Sequence, residues 1–109
     1  MKTFSIFNNY FIFFENGRVL KLNKFRRVYT EITKKHSGYQ TITCRNGKEL
    51  KTFYLHRLIY KAFNPEINID GLHIDHLNHD KSDNRIANLK LTSHQENMLN
   101  RRFRKIIKI

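Results

Sequence analysis

Cysteine occurs once in this chain, at Cys44, and proline once, at Pro65. A lone thiol excludes an internal disulfide framework and a cysteine-rich zinc knuckle, the two reinforcements on which very small domains often depend, and it fits a reducing compartment. Acidic residues are also few: nine Asp/Glu stand against 21 Lys/Arg, a formal net charge of +12. Long hydrophobic runs are missing. The apolar stretch Phe4 to Phe14 is interrupted by Ser5, Asn8, Asn9 and Tyr10, which makes it too short and too broken for a spanning helix or the core of a signal peptide. The expectation is a soluble protein of the cytoplasm.

What is present is charge of one sign and aromatic bulk. At 109 residues the chain is one domain or two very small lobes around a modest core. Nine Phe and five Tyr must supply much of that core. The positive charge is unevenly spread: residues 1–64 hold 13 Lys/Arg against 3 Asp/Glu, and residues 65–109 hold 8 against 6. An excess of this size implies attraction to a polyanion. With no membrane segment, nucleic acid is the better match than an anionic bilayer.

The first half has the period of strands. Tyr10 to Phe14 and Val19 to Leu22 flank Glu15-Asn16-Gly17-Arg18 and read as a hairpin with Asn-Gly at the turn, the residues that tolerate positive φ. Asn23 to Arg27 is polar and basic, and Val28 to Thr33 alternates like a further strand. Tyr39 to Arg45 and Glu49 to Leu55 form a second alternating pair around Asn46-Gly47. Arg18, Lys21, Arg45, Lys48 and Lys51 bracket these turns. They read either as the wet face of a small sheet or as a two-stranded ribbon that enters a DNA groove. His56 to Phe63 then switches to helical period, with Leu58, Ile59, Ala62 and Phe63 on one face, and Asn64-Pro65 ends it.

The most chemically loaded stretch runs from Leu72 to Asn100. Asp75 and His76 are adjacent, a turn-rich segment spans Asn78 to Asn88, Asn88 to Thr92 alternates as a returning strand, and Ser93-x-x-Glu96 is a capping box that opens a final helix. That helix carries Asn97 in its first turn and Arg101 and Arg102 further along. A carboxylate beside an imidazole, facing a third polar group across a hairpin, is what metal-assisted hydrolysis requires. Each member has a plainer explanation: Asp and His end strands, Asn88 is a turn residue, Asn97 faces solvent, and the Arg run is a solvated helix face. His73, two residues before Asp75, shares its side of a strand and reads as a surface residue. His56 is as readily a helix-start core residue as a catalytic one, and His36 and His94 read as exposed. The combination is more specific than any of its parts.

That combination resembles the HNH nuclease family, and within it the phage-intron-type HNH homing endonucleases. The residues that carry the likeness are LHRLIYKAF at 55–63, HIDHLNHDKSDNRIANLKLT at 73–92 and SHQEN at 93–97. YFIFFENGRVLKL, at 10–22, is more loosely similar to small DNA-binding repeats that precede such nucleases. The resemblance implies an α+β fold: N-terminal antiparallel β hairpins, then a helix and a C-terminal ββα-metal motif. It divides the chain into a basic β-rich DNA-binding region, 1–54, and a nuclease region, 55–109, in one compact unit. It assigns His76 as general base, Asp75 and Asn97 as ligands of one divalent ion, and Asn88 as the supporting middle residue. Oxygen ligands of this kind suit Mg²⁺ or Mn²⁺. The implied partner is double-stranded DNA, bound with Arg18, Lys21, Arg45, Lys48, Lys51, Arg101 and Arg102. Neither a small-molecule cofactor nor a membrane is expected. A monomer with one centre should nick, with dimerisation left open, in a bacterial host carrying a phage or mobile element. The chain departs from the family pattern in having Asn97 as its third signature residue, and in carrying His79-Asp80 where relatives often place a small turn residue. A DNA-binding regulator on a decayed nuclease fold is the alternative, and three intact site residues argue against it.

Overall fold

The computed structural model describes residues 1–7, 9–22, 28–30 (backbone only) and 34–93. Within them the chain forms three antiparallel sheets and one helix. Strands β1 (Lys2–Ile6), β2 (Asn9–Phe13), β3 (Val19–Leu22) and β4 (Val28–Thr30) make a meander in sequence order. A second meander contains β5 (Lys34–His36), β6 (Tyr39–Asn46) and β7 (Glu49–Tyr54). Helix α1 (Leu55–Phe63) follows β7 without a break, and a final hairpin pairs β8 (His73–His76) with β9 (Leu89–Thr92). The expected α+β order is therefore present, with one addition: β1 pairs with β2, from Lys2 opposite Phe13 to Ile6 opposite Asn9.

Both Asn-Gly turns form, but in each only the glycine takes positive φ. Gly17 sits at +87° and Gly47 at +64°. Asn16 instead accepts the Arg18 N–H through Oδ1 at 2.9 Å, closing an Asx turn. Asn46 stays in the ladder opposite Glu49. The two-residue loop of that hairpin is Gly47-Lys48, the glycine-first arrangement that matches strand twist.

One apolar core joins the three sheets and the helix. Phe11, Phe13 and Val19 come from the first sheet, Ile42 and Cys44 from the second, Leu55, Leu58, Ile59 and Ala62 from α1, Ile69 from the connector, and Ile74 and Leu89 from the last hairpin. Phe63, expected on the same helical face, is only partly buried against it. Not every aromatic is committed to the interior: Tyr10 is 54 % exposed and Tyr54 38 %. Helix α1 ends where Asn64 turns both its backbone N–H and its side-chain Nδ2 onto the Tyr60 carbonyl, 3.0 Å each. Arg57 then fixes the connector to the helix, donating from Nη1 to the Leu72 carbonyl at 2.7 Å and from Nη2 to the Ile69 carbonyl at 3.0 Å. Among the described residues no helix is long and apolar enough to cross a membrane.

Candidate active site

Strand β8 alternates as its sequence requires. Ile74 and His76 are buried, and His73 and Asp75 are half-exposed on the other side. The strand ends at His76, where the Leu77 N–H donates to the Asn88 carbonyl at 2.8 Å. Asp75 borders a pocket of about 220 Å³ whose other walls include Tyr39, Tyr54, His56, Arg57 and His73. Its Oδ2 accepts from Thr92 Oγ1 on β9 at 3.3 Å. His76 lies behind two of those walls. Its ring centroid is 4.9 Å from that of His56 and 6.0 Å from that of Tyr39, and Tyr39 and His56 are themselves stacked at 5.2 Å. The acid and the base thus leave the strand on opposite sides, and the rings on α1 and β6 bridge between them.

The loop from Leu77 to Asn88 is built from short polar side chains that bond to nearby backbone. Asn78 Oδ1 accepts the Asp80 N–H at 2.9 Å, and Asp80 Oδ1 accepts from both the N–H and the hydroxyl of Ser82. Asp83 takes Arg85 in a bidentate pair, 2.8 Å on each oxygen, and also accepts from Asn78 Nδ2 at 2.7 Å. Those bonds hold the Asp83 carboxyl well below the usual carboxylate range, with the Arg85 guanidinium the largest cause.

Asn88 closes the loop from inside. Its Oδ1 accepts the Asn78 N–H at 3.1 Å, and its Nδ2 donates to Asn78 Oδ1 at 2.9 Å and to the Asp83 carbonyl at 2.8 Å. Asn88 thus bridges the two ends of the loop. The ring nitrogen of His76, however, is held by another residue: His76 Nε2 lies 2.7 Å from Asn84 Oδ1. Asn84 is 3 % exposed, and its Nδ2 donates to Gln40 Oε1 on β6 at 2.9 Å.

Sequence reasoning did not single out Asn84, Gln40 or Tyr39 as site residues. Asn84 had a weak signal, being one more amide in an asparagine-rich loop. Gln40 had none, because its partner is 44 residues away.

His56 is a core residue of the first turn of α1, 7 % exposed. Burial pushes its imidazole down to about 3, helped by the neighbouring His76 and Arg57. It stays neutral at neutral pH and presents an uncharged ring to His76. His36 is exposed and His73 half-buried.

The basic residues divide by face. Cys44 opposes Lys51 and Arg45 opposes Leu50, so Arg45 and Lys51 project from opposite sides of the β6–β7 ribbon, with Lys48 in its turn. Lys51 Nζ lies 5.5 Å from the Phe7 ring centroid. Lys21 is half-buried opposite Phe11, its Nζ 5.8 Å from that ring, so its stem covers core. Arg18 is exposed. Asn97, Arg101, Arg102, His94, and the capping box through Glu96 and final helix expected from the sequence lie outside the described residues.

Residues 53–99 match the model of the HNH endonuclease family. Among solved structures the chain is similar to the HNH homing endonuclease I-HmuI, described for its DNA binding and cleavage. The TM-score is 0.66 at 28 % identity, over 87 % of this chain and 53 % of that one. The chain therefore spans about half the length of that protein. No curated protein sequence matches it significantly. The likeness to HNH homing endonucleases read from residues 55–97 is borne out, in an α+β fold.

Proposed function

We propose that this protein is a divalent-metal-dependent DNA endonuclease that nicks duplex DNA. The observation that carries this reading is His76, buried at the end of β8 with Nε2 bonded to Asn84, inside a segment that matches an HNH family model. One ring nitrogen is engaged by protein, which leaves the other for a proton taken from water. The similarity to I-HmuI supports DNA as the substrate, and the net charge of +12 supports a polyanion of any sequence.

The residues suit a hard cation. Asp75 offers a half-exposed carboxylate at the mouth of a polar pocket, oriented by Thr92. Asn97 is proposed as the second oxygen ligand, and Mg²⁺ or Mn²⁺ as the ion. Such an ion would supply Lewis-acid stabilisation of the phosphate and the leaving oxygen. The chain's own contribution is to orient His76, keep the neighbouring His56 uncharged and hold Asp75 on the other side of the strand. With one such centre per chain, a monomer in the cytoplasm of a bacterial host, encoded by a phage or mobile element, would cut one strand. The products would carry 5′-phosphate and 3′-hydroxyl ends.

Supercoiled plasmid incubated with Mg²⁺, with and without EDTA, tests this directly. Open circles formed only when the ion is free are expected. Cleavage that survives chelation, or none with any divalent ion, would defeat the proposal.

A further inference from the structure

The bond between His76 and Asn84 has a direction. A neutral imidazole carries one N–H and one lone pair. Asn84 faces His76 Nε2 with Oδ1, which can only accept, and this orientation of the amide calls for the hydrogen on Nε2 and the lone pair on Nδ1. Asn84 points this way because its other end, Nδ2, donates to Gln40 Oε1. The loop segment that carries Asn84 is located from outside the hairpin. A Cβ on Gly17 would come within 2.9 Å of the Asn84 carbonyl carbon, and the Ile86 N–H donates to the Glu15 carbonyl at 3.0 Å. Lys81 Nζ adds a third anchor, donating to the Ser37 carbonyl at 3.1 Å and standing 4.6 Å over the Tyr39 ring.

We propose, resting on His76 as the general base, that Gln40 and Asn84 are positioning residues that set its tautomer. They form a relay of two amides that makes Nδ1 the basic nitrogen. Such a relay can run either way. Reversed, Gln40 donates to Asn84 Oδ1, Asn84 Nδ2 donates to His76 Nε2, and the ring hydrogen moves to Nδ1. The nitrogen turned away from Asn84 then has no lone pair with which to take a proton. The polarity of the group at position 40, on a strand of the N-terminal sheets, thereby decides whether the base can work.

Two substitutions at this half-buried position separate the relay from simpler roles. Gln40→Glu leaves an acceptor only and preserves the direction, whereas Gln40→Lys leaves a donor only and reverses it. Nitrogen-15 spectra of the histidine rings in the full chain, at about pH 8 where an ordinary imidazole is neutral, report the tautomer without any need for cleavage. The hydrogen of His76 is expected on Nε2 in the wild type and in Gln40→Glu, and on Nδ1 in Gln40→Lys. Single-turnover cleavage of prebound DNA is expected to be near wild type for Gln40→Glu and at least about tenfold slower for Gln40→Lys, within the usual worth of a general base.

DNA affinity should move the other way, weaker for the added carboxylate and stronger for the added ammonium. A purely electrostatic role for position 40 predicts that the Lys variant cleaves best. That result, or one tautomer in all three proteins, overturns the proposal. A wild type that never cleaves would defeat the endonuclease reading, while the ring spectra would still decide the relay.

Discussion

Two hairpins of this protein, β6–β7 and β8–β9, have the same antiparallel pairing and opposite designs. The first turns through Gly47-Lys48, and its tip is exposed on both faces, with Arg45 on one side and Lys51 on the other. The second is joined by a long loop in which Asn78, Asp80, Asp83 and Asn88 bond to backbone or to one another, and Asn84 bonds to Gln40 and His76. A tight glycine turn needs no tertiary partner and leaves its charges to solvent or to a polyanion. The long loop is ordered by side chains, and it delivers one buried amide, Asn84, to the ring of His76. A charged ribbon exposed to solvent thus stands apart from a scaffold that holds a single imidazole, and substitutions can break either alone.

The largest effect is expected from His76→Ala. Loss of a general base typically costs about 10²–10⁴-fold in rate, while the exposed cations of the ribbon remain. Nicking should fall by that factor with DNA affinity nearly unchanged in a gel-shift titration. Near wild-type nicking would remove His76 from the mechanism.

Asn88→Ala attacks the loop scaffold. It removes one hydrogen bond each from the Asn78 N–H, Asn78 Oδ1 and the Asp83 carbonyl. Hydrogen bonds of this kind are worth about 0.5–1.5 kcal/mol each, so a loss of roughly 2–4 kcal/mol in urea unfolding is expected, with cleavage falling too. The same change at Lys48 should leave stability within about 0.5 kcal/mol. Equal losses at the two positions would erase the contrast between the hairpins.

The legibility of the two hairpins in the sequence differed for the same reason. Alternation and Asn-Gly spacing are local signals, so β2–β3 and β6–β7 could be read directly, as could α1 from its period. The turn register could not, because Asn16 and Asn46 were free to use their side chains or the ladder instead of positive φ. Asp75, His76 and Asn88 stood out because they form a compact string of chemically loaded types. What escaped was the part of the site that comes from elsewhere: Tyr39 and Gln40 reach it from β6, and only packing brings them there. The opposite projection of Arg45 and Lys51 also needed the strand register, which one residue of slippage would invert.

A smaller effect concerns pH. His56 binds a proton near pH 6.5 when unfolded but, buried beside His76 and Arg57, only near about 3 when folded. Between those values the unfolded chain holds more protons, so stability is full above about pH 6.5 and is lost as pH falls toward 3. One proton limits the slope to about 1.4 kcal/mol per pH unit. His56→Phe keeps an aromatic ring against Tyr39 and His76 and removes the titration. Urea midpoints between pH ~4 and ~7 should fall less steeply in this variant; parallel curves would show that His56 is not held neutral.

The smallest effect is expected at His79, in the loop between β8 and β9. Its φ is +64°, in the left-handed region where a Cβ costs about 1–2 kcal/mol. Its N–H closes a turn onto the His76 carbonyl at 3.0 Å, so the conformation is imposed by the loop that follows His76. Glycine relieves the strain but adds freedom to the unfolded chain. His79→Gly should therefore stabilise the protein by no more than about 1 kcal/mol, read as a slightly higher urea midpoint with unchanged slope. The His76–Asn84 bond is untouched by this change, so the rate of nicking bound DNA should stay within about twofold of wild type. A stabilised variant that cleaves much more slowly would mean that the His79 ring itself takes part in the chemistry, and the site would extend beyond His76 into the loop.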